Sequence, residues 1–201
     1  YGGKGMTDKS SNATLRVSSM SECSSIYGPG SRYVIWVQGC SLGCVGCWNK
    51  ELWPADGGSE IRVDELISNI TQVDGIEGIT ILGGEPLEQA PSMLELVRGV
   101  RSFGLTVMLY SGYEESELDT IQTACVESSD IVILGRYVAA LRDTSLRWRG
   151  SSNQEVRLVS EAYAGLEIEE ANEVEITITP EGRISMVGYP NAALRRAIKE
   201  L

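Results

Sequence analysis

Apolar residues along the chain follow two rhythms. Short, nearly unbroken runs at "RYVIWVQG" (32–39), "GITILGGEP" (78–86), "LTVMLYSGY" (105–113) and "DIVILGRY" (130–137) predict strands buried on both faces. Between them the period lengthens to that of a helix. "RVDELISNITQVD" (62–74) sets Val63, Leu66, Ile67, Ile70 and Val73 on one face, with Asp64 close to the helix start. Pro91 opens a second helix, whose stripe of Met93, Leu94, Leu96, Val97, Val100 and Phe103 ends at Gly104. "ESELDTIQTACV" (115–126) is amphipathic and predicts a third.

Weaker patterns flank this middle. "ATLRVSSM" (13–20) and "QEVRLVS" (154–160) read as strands, with a loop over 138–154. "EVEITITPEGRISMVG" (173–188) alternates about a Pro-Glu-Gly turn, which predicts a β-hairpin, and a closing helix is expected from about Asn191 to Leu201. Residues 1–12 are small and polar and read as a flexible N-terminus.

Apolar strands alternating with helices imply a parallel sheet covered on its faces, joined by right-handed crossovers. Ligands of such sheets sit beyond the C-terminal strand ends. "GCSLGCVGCW", "GGEP" and "SGY" each follow a strand directly. They therefore converge on one edge of the sheet.

Composition narrows the chemistry that this edge can perform. With 201 residues the chain suits one domain, and its net charge of −11 argues against a general nucleic-acid binder. Arg142, Arg147, Arg149 and Arg157 form a local basic stretch, read as a solvated loop and strand edge or as a small anionic subsite. No apolar run approaches the ~20 residues of a membrane span, and no signal-peptide pattern opens the chain. A cytoplasmic protein with no membrane partner is the expectation. Histidine is absent, which removes His-based acid–base chemistry and His-containing metal sites. Of five cysteines, Cys40, Cys44 and Cys47 crowd into C-x3-C-x2-C spacing. Without an export signal that crowding reads as metal binding rather than as a disulfide framework.

Three thiolates on a short Gly-rich loop can grip three irons of a [4Fe–4S] cube and leave the fourth open to a small molecule. The competing reading is a zinc knuckle completed by Cys23 or Cys125. Cys23, in a Ser-rich stretch, reads as an ordinary thiol, and Cys125, on an amphipathic helix, as a buried core residue.

The cysteine loop followed by a Gly-Gly-Glu-Pro turn after the next strand resembles the radical S-adenosylmethionine superfamily. "GCSLGCVGCWNKELW" (39–53), with Gly46 before the third cysteine and Trp48 after it, together with "RGSSNQ" (149–154), is similar to the activating proteins of anaerobic ribonucleotide reductase and other glycyl radical enzymes. The resemblance covers roughly residues 15–155. It implies an α/β fold: a partial (open) TIM-like barrel of parallel strands and helices, here with a C-terminal β-hairpin and helix. The expected organisation is a radical S-adenosylmethionine core over 13–168, with 169–201 packed on it.

The resemblance also implies roles. Cys40, Cys44 and Cys47 would ligate the cluster, and S-adenosylmethionine would chelate the open iron. Gly83, Gly84 and Glu85 would run beside its methionine part, with the ammonium near Glu85. Gly46, Trp48 and Asn49 would contact the cofactor, and Ser111 its carboxylate or ribose. Reduction by a flavodoxin- or ferredoxin-type protein would cleave the sulfonium to methionine and a 5′-deoxyadenosyl radical that abstracts hydrogen. The implied partner is a large glycyl radical enzyme subunit. Alternatives are direct action on a peptide, nucleoside or small molecule, a plain electron-transfer protein, and a zinc-stabilised interaction module. Residues 169–201 have no counterpart in the compact activating proteins, so they bear on which substrate is used.

Overall fold

The structure, a computed structural model, describes residues 12–171, 173–188, 190 and 192–199. The expected flexible N-terminus lies outside the described residues apart from Asn12. In chain order the regular elements are β1 (Thr14–Ser24), β2 (Arg32–Val37), β3 (Ser59–Arg62), α1 (Val63–Thr71), β4 (Gly78–Gly83), α2 (Ala90–Ser102), β5 (Thr106–Ser111), α3 (Thr120–Glu127), β6 (Ile131–Leu134) and β7 (Glu155–Leu158). A hairpin of β8 (Val174–Ile178) and β9 (Ile184–Gly188) follows, then α4 (Ala192–Lys199).

One seven-stranded sheet, ordered β3-β1-β2-β4-β5-β6-β7, organises the molecule. β2, β4, β5 and β6 run parallel, as the apolar runs predict. The sheet is open, with β3 and β7 at its edges. β1 pairs antiparallel to β2, β3 to β1 and β7 to β6, so the parallel centre carries antiparallel flanks. The short β3, with only one half-buried residue among exposed ones, has too little apolar pattern to be seen in the sequence.

Successive strand residues face opposite sides of the sheet. Val107 and Leu109 of β5 and Val132 and Leu134 of β6 join the core beneath α1, α2 and α3, with Leu66, Ile70, Met93, Leu96 and Val100. Met108 of β5 and Ile131 and Ile133 of β6 face the concave side, where they meet Trp148, Tyr163, Leu166 and Ile168. Segments C-terminal to the parallel strands thus fill the hollow of the open sheet. Arg32, fully buried at the bottom of that hollow, donates to Thr80 Oγ1 (2.7 Å), Ile79 O (2.6 Å), Thr106 Oγ1 (3.1 Å) and Tyr163 Oη (3.2 Å). Burial alone depresses its pKa, and these acceptors compensate the buried charge.

Helix ends explain where the boundaries differ from the periodicity. The pattern over 115–126 breaks into a 3-10 turn, Glu115–Glu117, and α3, because Asp119 caps the helix by accepting from Ile121 and Gln122 N–H while the Gln122 side chain accepts from Asp119 N–H. α2 carries Pro91 in its first turn and stops at Phe103 before Gly104, whose φ of 81° ends the helix.

Candidate active site

Beyond the C-terminal ends of β2, β4 and β5 lies a cavity of about 190 Å³. A single water needs roughly 10–15 Å³ on that measure, so a cofactor-sized molecule can be housed. Cys40, Cys44 and Cys47 line it, together with Trp48 and Asn49 from the same loop. Gly83, Gly84 and Glu85 line it from the end of β4, and Ser111 from the end of β5. Gly46 does not line it; a Cβ there would lie 3.1 Å from Ala139 Cβ, so this glycine, at φ 77°, packs the loop against the Ala139–Leu141 turn.

The loop is held by backbone bonds that the motif does not reveal. Gly39 N–H donates to Leu52 O (2.9 Å) and Cys40 N–H to Trp53 O (3.1 Å), while Cys47 N–H closes a turn onto Cys44 O (3.0 Å). Buried Gln38 donates from Nε2 to Pro54 O (2.8 Å) and Glu51 O (3.2 Å), tying the returning end of the loop to the end of β2. Asn49 stands before the Lys50–Leu52 turn without capping it through its side chain, so its amide is free of that local duty.

Gly83 and Gly84 owe their identity to the neighbouring backbone. A Cβ on Gly83, at φ 112°, would sit 2.7 Å from Val37 N, and one on Gly84 2.2 Å from Gly39 O. Gly84 N–H donates to Val37 O (2.8 Å) and Glu85 N–H to Gly39 O (2.7 Å). The two glycines therefore let the Glu-Pro turn and the root of the cysteine loop touch backbone to backbone.

Glu85 is buried at 1% exposure. Its carboxylate accepts from Leu87 N–H (2.9 Å), Ser111 Oγ–H (2.8 Å) and Gly112 N–H (2.7 Å). Burial nevertheless pushes its pKa up to about 7, outweighing those three donors. A carboxylate offers about four acceptor positions, so one remains for a cationic guest. Ser111, expected to meet the cofactor, lines the cavity and donates to Glu85. Burial also raises the pKa of the Cys40 thiol, with Glu85 and Glu88 adding to the effect and backbone N–H groups of Leu42 and Gly43 opposing it.

Neither Cys23 nor Cys125 lines the cavity. Cys125 is fully buried beneath α2, donating to Ala90 O (3.3 Å), and burial pushes its thiol up to about 11. Cys23 is exposed beside Ser31. Among the described residues no three Cys, Asp or Glu side chains converge on a point that could hold a single metal ion. A set of three thiols spread around a cavity suits a multi-iron cube, whose corners are separated, better than one tetrahedral ion.

Several residues that the motifs do not flag complete the walls. Tyr27, Leu82 and Tyr110 form apolar surface, Arg142 stacks 5.0 Å over the Trp48 ring, and Trp148 covers the concave side. Ala171, Glu173 and Gly188 close the wall from the C-terminal segment. The basic stretch is largely neutralised: Arg147 pairs with Glu173, Arg149 with Glu170, and Arg157 with Glu115 and Glu155. Only the ordering of Arg-x-Arg before the Gly-Ser turn hints at this wall in the sequence.

Comparison with known proteins agrees with the geometry. The family described as "4Fe-4S single cluster domain" matches residues 26–157, which hold the cysteine loop, β4, β5, β6 and most of β7. The chain belongs to this family. An anaerobic ribonucleoside-triphosphate reductase-activating protein of Escherichia coli (strain K12) is 35% identical over 140 residues, spanning 65% of this chain and 90% of that protein. The protein of the same description from Enterobacteria phage T4 is 32% identical over 140 residues, 66% of this chain and 86% of its own length. Pyruvate formate-lyase 1-activating enzyme of Escherichia coli (strain K12) is 27% identical over 124 residues, 59% of this chain and 50% of that enzyme. The chain is thus an iron–sulfur enzyme of the radical S-adenosylmethionine type, with a [4Fe–4S] cluster and S-adenosylmethionine as its cofactors.

Proposed function

We propose that the chain activates a large glycyl radical enzyme of the anaerobic ribonucleotide reductase type by taking a hydrogen atom from a glycine in its partner's backbone. The observation that carries this reading is the meeting of Cys40, Cys44, Cys47 and the Gly83–Glu85 turn on one cavity, in a chain 35% identical to a reductase-activating protein. When bound, the reduced cluster and S-adenosylmethionine supply reductive cleavage of a sulfonium and a carbon radical able to abstract hydrogen.

The chain's own residues bind, orient and enclose. Cys40, Cys44 and Cys47 would hold the cluster through their thiolates, with room in the same cavity for S-adenosylmethionine. All three thiols must lose their protons to do so, and burial opposes that loss at Cys40. Glu85, with one acceptor position left, receives the cofactor's ammonium, and that positive charge favours its ionised form against the cost of burial. Trp48 and Asn49 border the adenosyl part, while Gly46 sets the loop's course. Tyr27, Leu82, Tyr110 and Trp148 give the cavity apolar walls that exclude water from the reacting carbon.

Among the described residues no helix is long and apolar enough to cross a membrane. A reducing cytoplasm and a flavodoxin- or ferredoxin-type donor fit the free thiols and the need for a low-potential electron. Anaerobic reconstitution followed by reduction tests the reading. 5′-Deoxyadenosine should form, and a glycyl electron-spin signal should appear on the large subunit when it is added. Deoxyadenosine that forms only with an added small molecule, and no glycyl signal, would instead make the chain a small-substrate enzyme.

A further inference from the structure

The outer rim of the cysteine loop carries side chains that the cavity does not use. Val45, between Cys44 and Cys47, is 85% exposed, the highest value among the large apolar residues described. Trp48 lines the cavity and is still 39% exposed. The Ala139–Leu141 turn stands directly beside them, with Ala139 Cβ filling the space over Gly46 and the Tyr137 ring close behind. Val138 and Leu141, at the two ends of that turn, are exposed as well. Their backbone is fixed: Leu141 N–H donates to Val138 O (2.9 Å), Ser152 N–H to Leu141 O (2.9 Å) and Val138 N–H to Ser151 Oγ (3.1 Å). Single exposed apolar residues are ordinary, but four on two adjoining turns mark a surface that is covered by something.

Two cations frame this surface, each held over an indole of the cysteine loop. The Arg142 guanidinium lies 5.0 Å above the Trp48 ring, and Lys50 Nζ 5.8 Å above that of Trp53. Among the described residues neither forms an ion pair, whereas Arg136, Arg147, Arg149 and Arg157 all do. Asp143, next to Arg142, is turned into its own loop, where it accepts from Ser145 N–H and Oγ–H. The chain as a whole carries a net charge of −11 and repels an acidic protein. Two uncommitted positive charges at one place define where such a protein can approach.

We propose that Val45, Trp48, Val138 and Leu141, framed by Lys50 and Arg142, form the docking surface for the protein that delivers the electron. Its occupant is an acidic donor whose flavin or iron–sulfur centre lies at its edge. The inference rests on the proposed function, which requires a low-potential electron from outside the chain. Position favours this occupant over the large subunit. Val45 and Trp48 are the direct neighbours of Cys44 and Cys47, whose side chains are themselves partly exposed, so a donor seated here is separated from the cluster site by the loop alone. The large subunit's glycine must instead enter the cavity. Electron-transfer encounters are weak and small, which suits a patch of this extent. One electron passes from the donor's reduced centre to the cluster held by the loop, lowering the cluster's charge by one, and no atom changes hands.

Two variants test this on the cluster-loaded chain: Val45→Asp and Lys50→Glu. A reduced flavodoxin and a reduced ferredoxin serve as protein donors, and dithionite as a small reductant that needs no docking surface. Each variant should bind the parent's better donor roughly tenfold more weakly by calorimetry at low salt, with its KM in deoxyadenosine formation raised to match. The loss in Lys50→Glu should shrink as salt is added. Iron content, S-adenosylmethionine affinity and dithionite-driven deoxyadenosine formation should stay at the parent's values. Unchanged donor affinity in both variants would overturn the inference, as would a parent that works with dithionite and binds neither donor. So would an equal loss with dithionite, which would place these residues' effect at the cluster. Weakened binding of the large subunit with donor binding intact would assign the surface to the substrate protein instead. If the parent forms no deoxyadenosine even with dithionite, the functional reading fails first and this surface falls with it.

Discussion

The two faces of the central sheet are built from the same strands and behave differently. The convex face is covered by α1, α2 and α3 over a large apolar core, from Val63 and Leu66 to Leu109 and Leu134. The concave face carries a smaller apolar cluster around Trp148, a buried Arg32 with its ring of acceptors, and above them the cavity. Alternate residues of one strand serve both: Leu109 packs under the helices, while its neighbours Met108 and Tyr110 look into the hollow. The contrast teaches that one face supplies stability and the other supplies chemistry. The polar cost of the second is tolerated because the first is dense.

The sharpest way to separate the faces is to strike each once. Cys44→Ala should abolish iron binding and sulfonium cleavage outright and leave the unfolding transition of the metal-free chain in place. Iron analysis and calorimetry would check both. Leu96→Ala, at a fully buried position of the convex core, should cost about 2–5 kcal/mol in denaturant unfolding. The folded fraction should still load the cluster, and a variant that kept its stability but lost iron would break the division of labour.

Glu85 sharpens the comparison through pH. Its folded-state pKa of about 7 lies above the ordinary 4.5, so the folded metal-free chain binds the extra proton more tightly than the unfolded one. Its favourable contribution is therefore complete below pH 4.5 and is lost as pH rises through 7, by about 3 kcal/mol at most. Glu85→Gln should flatten that part of the stability profile, as read by urea unfolding between these pH values. A smaller effect is expected at the floor of the hollow. Tyr163→Phe removes one acceptor from Arg32 but leaves Thr80 and Ile79 O, so about 1 kcal/mol should be lost. Least of all, Glu117→Gln breaks the pair with Arg136 at the surface and should leave the unfolding midpoint where it was.

The cavity's two sides were not equally readable. The cysteine loop and the Gly-Gly-Glu-Pro turn stand out because their chemistry is concentrated in a few adjacent positions, and both line the cavity. Of the other expected contacts, Ser111 lines the cavity and Gly46 does not. Gly46 turns its space toward Ala139, and Ser111 donates to Glu85. Trp148, Glu170 and Glu173 gave no signal, since an aromatic in a loop and a pair of glutamates near a chain end are ordinary in sequence.

By itself the sequence determined the parallel centre, its helices, the hairpin and the cysteine loop. Each of these follows from local rules: the period of apolar residues, the turn residues and the spacing of thiols. Tertiary structure alone decided which residues share the cavity with that loop, because Glu173 and Cys44 come to line it together only after the chain has folded back into the hollow of the sheet. It also decided the state of Glu85. A carboxyl group's proton affinity is set by what surrounds it, and no pattern along the chain records that environment.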